Sequence, residues 1–187
     1  MRSRLWLAIA MTLLVAACQD RKPEPLFLSS ADGRTVAAAS ENQHFIEFRA
    51  RYALSYGHSY VLYGRLDAAG NPVNPEVAGL HPKSDSEVPY VLGHFLPVPA
   101  ETGFSDGDLE EQYRSASWRV LLTEAEYDKV AADIRKLKDS SPVWHASLYN
   151  CNAFVGDIAK SMGYKTPPIW LRPQQFITQI RKMATDT

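Results

Sequence analysis

Only two cysteines, Cys18 and Cys151, occur in these 187 residues, too few for the disulfide framework of a small secreted scaffold. Basic charge is not in excess: 20 Lys and Arg stand against 21 Asp and Glu, so the basic face that a nucleic-acid partner needs is missing. No glycine-rich loop marks a nucleotide site, and no two histidines recur at the helical spacing of zinc ligands. No internal repeat is visible. The N-terminal apolar run, Leu5 to Val15, falls short of the roughly 20 residues of a membrane-spanning helix. What remains is a chain that is 45% hydrophobic, suited to a packed globular core. Neither a metal nor a cofactor is expected.

The first residues read MRSRLWLAIAMTLLVAAC. Arg2 and Arg4 form a basic start, an apolar stretch follows, and the small residues Ala16 and Ala17 lead to Cys18. This order resembles the lipobox of bacterial lipoproteins, which implies cleavage before Cys18 and acylation of that residue, palmitate included. Residues 1–17 are then a signal peptide, 18–40 a lipidated tether, and 41–187 one domain. Several acyl chains hold a protein to a bilayer durably, since each buried methylene adds about 0.8 kcal/mol. Gln19, where an aspartate would retain the protein in the inner membrane, points by the same resemblance to the outer membrane, facing the periplasm. Loss of Arg2 and Arg4 leaves 18 basic against 21 acidic residues.

With Cys18 lipidated, Cys151 has no partner in the chain. An oxidising compartment pairs cysteines or dispenses with them, so this thiol is either buried and inert or kept for its reactivity.

Strands occupy the first part of the domain. Ile46, Phe48, Ala50 and Tyr52 alternate with Glu47, Arg49 and Arg51, the pattern of a half-buried strand. GHSYVLYGRL, 57–66, is a second, and DAAGNPVNP after it is turn chemistry. Further short strands are expected at Val88–Leu92, Phe95–Val98 and Ser117–Leu122. Asp106, Asp108, Glu110 and Glu111 lack the alternating spacing of a calcium loop and read as a solvated acidic loop. Helices follow. Thr123 and Glu126 form a capping box, with Tyr127, Val130, Ile134 and Leu137 on one face. Asn150 caps a helix that ends at Gly163, and Pro173 opens the last one. The fold class is α+β, an antiparallel sheet packed against C-terminal helices.

Cys151 lies in the first turn of the Asn150 helix, where backbone amides are unpaired and the helix dipole is positive. Both favour a thiolate, and the same amides can receive an oxyanion. A base is the remaining need. His58, opening the strongest strand, is the best placed of five histidines, since a strand on the Cys151 helix would bring the two together.

Asn150-Cys151-Asn152-Ala153-Phe154-Val155 is similar to the N-C-x-x-F-V helix start of the permuted papain-like proteins. These include the lecithin:retinol acyltransferase-like family and relatives of the NlpC-type cell-wall peptidases. The likeness covers roughly residues 45–165, with a histidine opening an early strand and the cysteine following later on a helix. It implies a circularly permuted papain-like fold, with Cys151 as nucleophile and His58 as base. Asn150 and Asn152 would lie beside the substrate and its oxyanion. The acyltransferase-like members carry Glu-His where this chain has Asn152-Ala153. The family's orienting residue, on the strand after the catalytic histidine, has two candidates here, His81 and His94.

The expected function is therefore an envelope-anchored cysteine hydrolase that cleaves peptidoglycan stem-peptide amides. A lipid acyl-transferase or thioesterase is the alternative on the same site, and a non-catalytic binding or structural module is the alternative in kind. The partners expected are the membrane, through the N-terminal lipid, and peptidoglycan or lipid as substrate. No oligomeric state follows from the sequence.

Overall fold

The computed structural model describes residues 26–27, 43–53, 56–84 and 86–185. Cys18 and the signal lie outside the described residues. The strands are β1 (Leu26–Phe27), β2 (His44–Arg51), β3 (His58–Leu66), β4 (Pro72–Pro82), β5 (Val98–Thr102), β6 (Arg114–Leu122) and β7 (Val143–Trp144). The helices are α1 (Val88–Leu92), α2 (Glu124–Asp139), α3 (Cys151–Ser161) and α4 (Pro173–Thr185). In the sheet order β1-β6-β2-β3-β4-β5-β7, β2 to β7 make six antiparallel strands and β1 joins β6 in parallel. The class is α+β, with the C-terminal helices packed on the sheet.

Strand alternation decides which side chains meet those helices. Ile46, Phe48, Ala50, Val61, Tyr63, Ala78 and Leu80 share one core with Ile134 of α2, Phe154 and Ile158 of α3, and Phe176 and Ile180 of α4. The helices stay in place because their ends are satisfied. Thr123 and Glu126 close the capping box of α2, Asn150 Oδ1 accepts from the Ala153 amide at the start of α3, and Gly163 takes φ +89° just after it.

The opposite parity of β2 was expected to face solvent, but Glu47, Arg49 and Arg51 are all buried. Residues 103–113 fold over that face, and the acidic stretch supplies its counter-charges. Asp108, expected in a solvated loop, is fully buried, and Arg51 Nε donates to its Oδ1 at 2.6 Å. Arg49 bridges Glu47 at 2.6 Å and Glu111 at 2.7 Å, while Arg119 takes the other oxygen of Glu47. Burial alone would raise the Glu47 carboxyl, but Arg49 and Arg119 hold it below the usual range.

Three local expectations are corrected. Val88–Leu92 is a helical turn with Pro89 in its first turn, because proline fixes φ near the helical value. The following strand begins at Val98 instead of Phe95. Turn chemistry stops at Asn71, and β4 already starts at Pro72.

Candidate functional site

Cys151 is the first residue of α3, and 5% of it is exposed. The Ser59 hydroxyl and the backbone amides of Ser59, Asn152 and Cys151 surround its sulfur. The ladder between β3 and β4 ends at Tyr60 and Gly79, after which β4 turns to pair with β5. Ser59 sits just past that point, so its amide can serve the sulfur. Burial pushes the thiol above its ordinary value, outweighing the donors around it.

Asn152 fixes the proton arrangement. It is fully buried, and its Nδ2 donates to the carbonyls of Ile169 at 3.0 Å and Leu171 at 2.7 Å. Its Oδ1 therefore faces Ser59, whose hydroxyl donates to it at 2.8 Å. A hydroxyl has one proton. With that proton on Asn152, Ser59 has none to give the sulfur, which agrees with a thiol raised above its ordinary value.

The Asn150 side chain is equally committed. Its Oδ1 caps α3 and its Nδ2 donates to Ala146 and Ile169 carbonyls at 2.7 and 3.3 Å. Both asparagines thus tie residues 146 and 169–171 to the start of α3. Neither asparagine side chain is therefore free to serve a substrate oxyanion there.

His58 is adjacent in sequence to Ser59 but presents its ring on the opposite sheet face, stacked at 5.7 Å on Tyr60. The ring lies over Gly79, where an added Cβ would stand 2.9 Å from its Nε2. That Nε2 is buried without a hydrogen-bond partner among the described residues. Burial, then the charge of Arg51, then His81, keep the imidazole well below its ordinary pKa, so it is neutral at pH 7. His81, two residues beyond Gly79 on β4, meets the His58 ring edge-on at 6.2 Å. Its Nδ1 lies 3.1 Å from the Pro82 carbonyl, which can only accept, so Nδ1 is the donor. His94 is exposed on the turn after α1, with Nδ1 on the Tyr90 carbonyl at 2.9 Å.

The structure thus groups Cys151, Ser59 and Asn152 around the start of α3 and sets the His58 and His81 rings edge to face apart from them, the two groups adjoining through the backbone of residues 58–59. Ser59 and Gly79 were missed in the sequence. Ser59 had a readable signal, a small polar residue at a core-facing position between bulky neighbours. Gly79 had one too, since a glycine inside a strand marks a close approach. Among the described residues no group of three or more His, Cys, Asp and Glu could hold a metal ion.

No family model matches this chain, and neither a curated protein nor a solved structure matches it.

Proposed function

We propose that this chain is an envelope-anchored cysteine hydrolase on a circularly permuted papain-like scaffold, with Cys151 as nucleophile and His58 as base. One observation carries the reading: the Cys151 sulfur sits at a helix start among three backbone amides, one of them from Ser59, the immediate neighbour of His58. The resting pair is a thiol and a neutral imidazole, so proton transfer accompanies attack and does not precede it. On the sheet face away from α3, the His58 ring cannot reach the sulfur by side-chain rotation alone; the start of β3 has to rearrange for this step, and the ring then stands beside the S–H. It takes the S–H proton while sulfur bonds to the substrate carbonyl carbon, and the oxyanion lies against the amides of Cys151 and Asn152. Collapse of the intermediate expels the leaving amine or alcohol, which takes the proton from His58. Water then cleaves the thioester.

The substrate that the envelope offers is a peptidoglycan stem-peptide amide, reached from an outer-membrane anchor at Cys18. An acyl lipid is the second reading, favoured by exposed apolar side chains such as Leu148, 71% exposed, near the helix start. The burial of the sulfur favours a third, a non-catalytic module on the same scaffold.

Purified full-length chain incubated with muropeptides and with acyl phospholipids separates these readings. Turnover should vanish in Cys151→Ala and fall roughly 10²–10⁴-fold in His58→Ala. Equal turnover in chain and variants, or none with either substrate, overturns the enzyme reading.

A further inference from the structure

We infer that the end of the domain around the start of α3 is a membrane-seating face, which rests on a neutral bilayer interface. The segments 88–100, 140–156 and 166–171 contain no Asp, Glu, Lys or Arg, in a chain where 22% of residues are charged. Charged residues stop at their borders, at Glu87, Glu101, Asp139, Asp157, Lys165 and Arg172.

The fold brings these three segments together. The Ala146 amide donates to the Gly93 carbonyl at 2.9 Å, and the Gly93 backbone packs on the Trp144 ring. Asn150 links Ala146 to Ile169, and Tyr56 donates to the Leu171 carbonyl at 3.0 Å. These segments display large apolar groups to the outside: Phe95 is 80% exposed, Trp170 74%, and Val91, Leu92 and Leu148 are exposed too. Exposed apolar groups gathered in one place mark an interaction site. A tryptophan with a nearby tyrosine, here Trp170 and Tyr56, is the pairing that membrane interfaces favour.

The chain's own geometry selects a bilayer as the occupant. β1 runs parallel to β6 with Leu26 opposite Ala116, so the chain enters β1 from the sheet end that holds Arg114. Arg114 pairs with Arg51, and Arg51 pairs with His58. β1 therefore begins at the end of the sheet where Cys151 and the charge-free segments lie. Seven residues lie between Cys18 and Leu26, and the eight Cα–Cα steps span at most about 28 Å when extended. A lipid on Cys18 keeps this end of the domain beside the bilayer. The inference requires that anchor but not a catalytic Cys151.

Full-length chain is reconstituted into phosphatidylcholine vesicles whose acyl chains carry bromine, a quencher of tryptophan emission, and into unbrominated ones. Subtracting the signal of Trp170→Phe isolates the emission of Trp170. Expected are a loss of Trp170 emission in the brominated vesicles and a shift of its maximum to shorter wavelength. Phe95→Asp with Leu148→Asp, on side chains that pack little, should abolish both changes while leaving thermal unfolding as it was. Unquenched Trp170 in chain that co-floats with the vesicles overturns the inference, because the anchor then holds while the face looks to water. Trp170 emission already blue-shifted without vesicles, in a concentration-dependent manner, also overturns it and assigns the face to a second copy of the chain.

Discussion

Two donations from Asn152 to backbone carbonyls determine what Ser59 does, and through Ser59 the state of the sulfur. Asn152→Ala should therefore act in two directions. Stability falls by about 1–3 kcal/mol for each buried partner left unsatisfied, read as a lower urea midpoint. The freed Ser59 hydroxyl can then donate to the sulfur, so the pH midpoint of iodoacetamide labelling of Cys151 should move down from its raised value. A labelling midpoint unchanged in a folded variant would show that Ser59 does not hold the proton. His58 gives a second pH signature. Its folded pKa is depressed, so the stability it contributes is present above the unfolded value of about 6.5 and is lost as pH falls. Urea midpoints compared at pH 7 and pH 5 should diverge less in His58→Gln than in the parent chain. An equal divergence would mean that other groups carry the acid sensitivity.

At the level of elements, the segment 103–113 behaves as a clamp on the face that the helices leave open. Asp108→Ala strands the buried Arg51 guanidinium, and removal of one partner of such a pair costs about 3–5 kcal/mol. Equilibrium unfolding of this variant should show that loss, whereas Glu101→Ala, at an exposed 3.8 Å pair with Lys83, should change little. This clamp was not legible in the sequence, because Asp108 and Arg51 are 57 positions apart and a run of carboxylates looks the same whether solvated or paired. Residues Val88–Leu92 misled for a different reason. Five residues are too few to show a helical period, so their β-branched composition suggested a strand while Pro89 was already compatible with a first turn. Where local chemistry suffices, the reading carried through: the Thr123–Glu126 box, the Asn150 cap and Gly163 each mark a helix boundary in the structure. The candidate site was half legible. Helical spacing placed Cys151 in a first turn, but its closest side-chain neighbour depended on strand parity, which turns Ser59, not His58, towards α3.

Across the whole molecule, long-range pairing does what no short segment could announce. The strands in the middle of the sheet, β2, β3, β4 and β6, run eight to eleven residues. The two outermost, β1 and β7, have two residues each. A long unpaired strand is a template for another chain, and very short outer strands blunt it. β1 lies along β6 at Ala116 and Ser117, and the segment that would carry the lipid therefore also covers the rim of the sheet. Chain cut to begin at Gln43 should keep its helical circular dichroism but assemble faster on heating, with light scattering as the readout. No increase over the full chain would show that β6 is guarded by its own charged residues. Were copies crowded on a membrane through Cys18, their sheets would be held side by side, and two residues of tether backbone would be what keeps neighbours from zipping into one continuous ribbon.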